Sequence, residues 1–211
     1  MVEKEKVSII LERLDMQYPT NNKCYLNYSA PYELLIATIL SAQCTDDRVN
    51  IVTENLFKKY PTIEDFAEAD FAEMENDIRS TGFFRNKTKS IILSMRMLLE
   101  NYNGLLPQDI KELTKLPGVG RKTANVVRSH IFNLPSIVVD THVKRISLRL
   151  GLTKNINPTK IEFDLMKILP KTHWIRYNTQ VIAHGRAICK APKPKCQICF
   201  YTDICNNYNK S

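Results

Sequence analysis

Leu116-Pro117-Gly118-Val119-Gly120-Arg121-Lys122-Thr123-Ala124 sits between a short helical segment, Ile110–Lys115, and a longer one, Thr123–Phe132. Two helices are therefore joined through a Gly-x-Gly turn. Glycines one residue apart permit positive φ and let a ligand approach the backbone closely. The N–H groups at the start of the following helix favour an anion such as phosphate. A grip made by backbone alone holds a nucleic-acid strand without reading its sequence. The same residues also suit a tight turn with a glycine C-cap.

Outward from the turn, the periodicity is helical throughout. Val7, Ile10, Leu11 and Leu14 recur at i, i+3, i+4, i+7, the stripe of an amphipathic helix that ends before Tyr18-Pro19. Thr20–Pro31 is polar and turn-rich, and Tyr32–Leu40 is an apolar run too long for a typical strand, read as a buried helix. Further helical patterns cover Val49–Tyr60, Ile63–Thr81 and Lys87–Tyr102, with Pro61, Gly82 and Gly104 as stops. Past the turn, Val143–Leu150, Lys160–Leu169 and Thr179–Cys189 follow the same rule. No segment reads as a strand, a repeat or a low-complexity tract. The fold class is all-α.

The chain has 211 residues, 44% hydrophobic and 25% charged, enough for one large domain or two small ones and too apolar for wholesale disorder. A formal net charge of +8 suits a polyanionic partner, nucleic acid first. Residues 1–14 mix acidic with basic side chains and lack a long apolar core, unlike a signal peptide. No stretch reaches the roughly 20 apolar residues of a membrane span. A cytoplasmic protein without a membrane partner is expected, and there structural disulfides are rare.

Four of the six cysteines need another explanation. Cys189, Cys196, Cys199 and Cys205 follow Cys-x6-Cys-x2-Cys-x5-Cys and read as a metal site. The spacing leaves both a structural zinc and an iron–sulfur cluster open. Between the first two stands Lys190-Ala191-Pro192-Lys193-Pro194-Lys195, three lysines stiffened by two prolines, a cationic lobe suited to DNA phosphates. Cys24 and Cys44 are read as free thiols.

Together these stretches are recognisable. Leu116–Ala124 resembles the helix–hairpin–helix motif of the endonuclease III superfamily of DNA glycosylases. Val138-Val139-Asp140-Thr141-His142-Val143-Lys144-Arg145 is similar to its catalytic-aspartate segment, and Leu40-Ser41-Ala42-Gln43-Cys44-Thr45-Asp46 to its SAQ-x-TD segment. The resemblance runs from about Leu11 to Cys205.

It implies two helical lobes: a six-helix barrel over residues 24–135 carrying the hairpin, and an iron–sulfur lobe from 1–23 and 136–211. DNA is expected in the cleft between, with Lys122 on one wall and Asp140 on the other. The four cysteines are expected to hold a 4Fe–4S cluster. DNA contacts are expected from Gly118, Gly120, Arg121, Lys190, Lys193 and Lys195. Gln43 is the implied gap-filling glutamine and Phe83 the implied apolar wedge, with a core phenylalanine as the bland alternative. Asp46 is either a pocket residue or a helix cap. His142 is read as a structural or pocket-lining group, and Lys144, Arg145 and Arg149 as facing solvent or phosphate.

The chemistry of the pair is general. Breaking an N-glycosidic bond builds positive charge on the sugar, which a nearby carboxylate stabilises. A neutral lysine amine attacks C1′ and leaves a Schiff base, from which the 3′ phosphate is eliminated. The helix N-terminus and Arg121 favour the uncharged amine of Lys122, while Asp140 opposes them and accepts a proton. Asp140 also suits the N-cap of the helix after it. Adenine-removing relatives lack the lysine, so the resemblance is to the branch with lyase activity. The expected protein is a monomeric repair enzyme that excises oxidised pyrimidines from duplex DNA and cleaves the abasic site by β-elimination. A mismatch, uracil or 8-oxoguanine glycosylase and a non-catalytic DNA-binding iron–sulfur protein are the alternatives.

Overall fold

In a computed structural model, which describes residues 3–19 and 24–208, the periodic segments become eleven α-helices. Thr20–Lys23, the start of the turn-rich stretch, lie outside the described residues. In chain order the helices are α1 (Glu3–Gln17), α2 (Pro31–Leu40), α3 (Asp46–Lys59), α4 (Ile63–Glu68), α5 (Phe71–Asp77) and α6 (Phe84–Tyr102). Then come α7 (Ile110–Leu113), α8 (Arg121–His130), α9 (Thr141–Leu150), α10 (Pro158–Ile168) and α11 (Trp174–Ala187). No strand occurs among the described residues, and none of their helices is long and apolar enough to cross a membrane.

Several boundaries shift by two or three residues, and two elements depart further from the periodicity. Ile63–Thr81 is not one helix but α4, α5 and a 3-10 turn over Arg79–Thr81. The chain is extended at Ala69 (φ −55, ψ 140), and the Asp70 carboxylate then accepts the Glu73 N–H at 2.9 Å, starting a new helix. A capping side chain here outweighs apolar spacing that alone would continue the helix. The last helix starts at Trp174, five residues before Thr179, because Trp174, Tyr177 and Val181 carry its buried face from the first turn. His173 at its N-cap makes no side-chain cap bond, so no polar signal marks that start.

The chain divides into two compact units, residues 24–132 and residues 1–23 with 133–211. In the first, α6 is the axis. Its buried stripe of Ile91, Ile92, Met95 and Leu98 packs with α2, which is itself buried at Leu34, Leu35, Ile36 and Leu40. α4 and α5 lie along the same helix, and α8 packs on α2. Each fully buried aliphatic side chain of this kind contributes roughly 1.5–3 kcal/mol.

The second unit is built on α1, α9 and α11. Ile10, Leu14, Ile146, Leu150 and Tyr177 meet in its core, with Ile161 and Leu165 of α10. Several of its buried polar atoms are paired, while Arg176 Nε, Asn178 Oδ1 and Gln180 Oε1 have no hydrogen-bond partner among the described residues. The Tyr201 hydroxyl donates to the Ile10 carbonyl at 2.9 Å, and the Trp174 indole N–H to the Leu169 carbonyl at 2.9 Å. Asp15 of α1 accepts from Gln180 at 2.8 Å and meets His173 at 3.1 Å, tying α1 to α11.

Candidate functional site

The hairpin is positioned by burial of its own apolar residues. Leu113, Leu116 and Val119 are buried, and the Val119 N–H closes the turn on the Leu116 carbonyl at 3.0 Å. Gly118 has φ +75, and a Cβ there would lie 2.5 Å from the Cβ of Ser90. Conformation and space both demand glycine. Gly120 does not use the positive φ that glycine permits: it is extended (φ −85, ψ 175), and a Cβ on it would meet nothing within 4 Å. The fold leaves open space over Gly120, at the N-cap of α8. The first N–H groups of a helix have no partner within it.

Gly118→Ala is expected to cost about 2 kcal/mol or more, from left-handed strain plus the overlap with Ser90. Gly120→Ala is expected to stay within about 1 kcal/mol. Urea unfolding of the two variants compares them directly.

Arg121 and Lys122 are the first two residues of α8, Arg121 half-buried and Lys122 exposed. Asp140, in the other unit, follows the buried run Ile137-Val138-Val139 and caps α9, its Oδ1 accepting the Val143 N–H at 2.7 Å. The carboxylate is half-buried, and no hydrogen bond to Oδ2 is seen among the described residues.

In that same unit α9 and α11 pack closely because Gly185 has no side chain; a Cβ there would lie 2.4 Å from His142 Nδ1. The expectation that Arg145 and Arg149 face solvent or phosphate is overturned. Arg145 Nη2 donates to the Cys189 carbonyl at 2.9 Å. Arg149 donates to the Lys190 carbonyl at 2.9 Å, to the Ala191 carbonyl at 3.0 Å and to Cys189 Sγ at 3.2 Å. Backbone carbonyls that the cysteine loop leaves over attract these guanidinium groups more strongly than open water does, since several donors bind at once.

Cys189, Cys196, Cys199 and Cys205 line one cavity, all with free thiols. Burial pushes the Cys199 thiol up, and the charges of Cys189, Cys205 and Cys196 push it further. Four thiolates crowded this way repel one another and need a cationic centre. No group among the described residues is arranged around a single ion. Four cysteine thiolates are the donor set that a 4Fe–4S cluster takes, and a tetrahedral zinc takes the same set. His184 stands beside it, Nε2 at 3.8 Å from Cys199 Sγ, and burial with help from Arg145 lowers it to about 4, leaving a neutral ring. The Ile188 carbonyl accepts from the N–H groups of both Lys190 and Lys195, at 2.9 and 3.0 Å, closing the loop. Lys190, Lys193 and Lys195 are exposed on it.

Gln43 and Phe83 share an unusual property. Both are exposed non-glycine residues with positive φ, 53 and 49. Such conformations cost energy and cluster at functional sites. Phe83 is 63% exposed, whereas Phe84 packs against the core with Arg79 and Arg85 at 5.5 and 5.7 Å from its ring. Asp46 lies in the first turn of α3, which Thr45 caps by accepting from the Arg48 N–H.

Residues 36–171 match the pattern of the HhH-GPD superfamily of base excision DNA repair proteins. Endonuclease III of Synechocystis sp. is 50% identical over 203 residues, which is 96% of this chain and 92% of that protein. Endonuclease III of Bacillus subtilis is 42% identical over 211 residues, 100% of this chain and 96% of that one. The chain belongs to the endonuclease III family. A solved structure described as a trapped endonuclease III–DNA covalent intermediate superimposes with a TM-score of 0.94 at 45% identity, covering 100% of this chain and 99% of that one. The fold of this endonuclease III-family chain is thus the all-helical HhH-GPD fold. Members of the family generally bind a 4Fe–4S cluster.

Sequence reasoning missed Lys87 in this family member. It is 4% exposed, and its Nζ donates to the Leu40 and Thr81 carbonyls, both at 2.8 Å. Its signal was present: Lys87 stands four residues before Ile91, on the apolar stripe of α6. Ser94, whose Oγ donates to the Pro117 carbonyl at 2.7 Å, gave no such sign.

Proposed function

We infer that this chain is a base-excision repair DNA glycosylase with lyase activity, acting as a monomer on duplex DNA that carries oxidised pyrimidines or abasic sites. The observation that carries the reading is an exposed Lys122 in the first turn of α8, behind a hairpin whose Gly120 leaves the helix N-terminus open. It stands in a chain 50% identical to an endonuclease III. The division of the chain supports a barrel domain over residues 24–135, and a cluster domain from 1–23 and 136–211. The bacterial relatives support a place in the cytoplasm.

Lys122 attacks C1′ as the free amine. The glycosidic bond breaks, the base leaves with the bonding pair and takes up a proton, and the nitrogen loses one; the C1′–O4′ bond then opens, O4′ taking up a proton as the nitrogen lone pair forms the C1′=N bond of a protonated Schiff base. Loss of a C2′ proton then expels the 3′ phosphate, and water releases the lysine. The Asp140 carboxylate stabilises positive charge on the sugar and accepts a proton during the attack. Val143 N–H holds one of its oxygens and so fixes the other. N–H groups at the hairpin and Arg121 hold phosphates. Gln43 and Phe83 fill the space left by the extruded nucleotide, whose flipping costs a few kcal/mol.

Cys189, Cys196, Cys199 and Cys205 would hold a 4Fe–4S cluster, which supplies a cross-link ordering the loop of Lys190, Lys193 and Lys195. Replacing these three lysines by Gln is expected to weaken DNA binding evenly across sequences. The slope of log affinity against log salt should fall by about 0.9 for each phosphate that is no longer neutralised. An unchanged slope would mean that the loop does not touch the DNA.

Substrate class is tested with duplexes carrying thymine glycol, uracil, 8-oxoguanine or an abasic site. Excision of thymine glycol with a β-elimination end is expected. Preference for uracil or 8-oxoguanine would move the chain to a different substrate class.

A further inference from the structure

The chemistry above has no use for Lys87, although a buried ammonium with no carboxylate partner among the described residues is expensive to keep. What it holds is informative. Leu40 ends α2, and three residues later comes Gln43 with φ 53. Thr81 ends the 3-10 turn, and two residues later comes Phe83 with φ 49. One cation thus grips the carbonyl at the root of each exposed left-handed turn, at 2.8 Å in both cases. The turns' own backbone bonds are of mixed length, 3.4 Å from Ala42 N to the Ile39 carbonyl and 3.2 Å from Cys44 N to the Ser41 carbonyl in one, 3.3 Å from Gly82 N to the Arg79 carbonyl and 2.9 Å from Thr81 N to the Ile78 carbonyl in the other.

The same helix reaches the hairpin. Ser90 Cβ occupies the space a side chain on Gly118 would need, and Ser94 donates to the Pro117 carbonyl at 2.7 Å. Lys87, Ser90 and Ser94 fall at i, i+3 and i+7, along one face of α6. α6 therefore fixes both turns and the hairpin in one register.

We propose that Lys87 is a positioning residue that ties the Gln43 turn to the Phe83 turn, so that both side chains enter the base stack together. The inference rests on the assignment of Gln43 and Phe83 as gap-filling residues. Its consequence is selective. Extruding a stacked, paired base needs both fillers, whereas an abasic site has no base to unstack.

The test uses the intact holoprotein with Lys87→Met, which keeps the apolar stem and removes the donor. Excision rate on a thymine-glycol duplex is expected to fall about tenfold to a hundredfold. Borohydride adduct formation on a preformed abasic duplex should change far less. Fluorescence of 2-aminopurine placed beside the lesion, which reports unstacking, should fall with the excision rate. In a Gln43→Ala/Phe83→Ala background, adding Lys87→Met should bring no further loss. If Lys87→Met does not fold, Lys87→Gln, which keeps one donor, is read in the same assays and should show the same split at smaller size.

Parallel loss on both duplexes, tracking the folded fraction, would make Lys87 a stability residue and overturn the proposal. So would wild-type excision by the variant. A native protein that forms no adduct on either duplex would overturn the functional reading first, and this inference with it; a native protein active on both isolates the result to Lys87.

Discussion

Lys122→Gln protein is expected to bind a duplex with an abasic site as the native protein does and to leave it uncut. The substitution removes the one nitrogen proposed to become covalently attached to the sugar. Gln at the second position of α8 keeps a good helix former and an exposed polar side chain, so folding is expected to stay within about 0.5 kcal/mol. Loss of an attacking group lowers the rate by about 10³-fold or more, because no remaining group takes over the bond-forming step. The borohydride adduct should vanish altogether. Gel-shift affinity beside strand-nicking rate separates the two effects. Normal nicking by this variant would remove Lys122 from the mechanism.

Asp140 carries two roles that different substitutions divide. It caps α9 through the Val143 N–H at 2.7 Å, and it is proposed to stabilise charge on the sugar. Asn is as good a cap as Asp but bears no charge. Asp140→Asn is therefore expected to keep stability within about 0.5 kcal/mol, while base excision falls roughly 10²- to 10³-fold. Asp140→Ala removes both functions and should in addition lose about 1 kcal/mol of stability. Thermal unfolding and excision rates of the two variants give the comparison. If Asn and Ala lose excision only in proportion to stability, Asp140 is a cap and nothing more.

Features carried by local spacing were legible in the sequence. The cysteine pattern marked four side chains that do line one cavity, and the Gly-x-Gly turn did join a short helix to a longer one. What failed was set by partners far along the chain. Arg145 and Arg149 turn to carbonyls about forty residues away, at Cys189, Lys190 and Ala191, which no local pattern on α9 announces. Gly118 and Gly120 look alike in sequence, yet Ser90, on another helix, makes only the first indispensable to packing. The break at Ala69-Asp70 was hidden because apolar periodicity runs through it, while the capping Asp70 is the deciding signal. Lys87 was passed over for a related reason. A lysine within a charged helix reads as solvated until its position on the buried stripe is given weight.

The reading of this chain as a lysine-dependent glycosylase and lyase meets its most direct test in one covalent bond. Native protein with its cluster intact is mixed with a duplex bearing a single thymine glycol, reduced with borohydride, digested, and the DNA-linked peptide identified by mass spectrometry. The account predicts a single adduct, on Lys122, formed at the rate of base excision. An adduct on another residue, or base excision with no adduct at all, would contradict it.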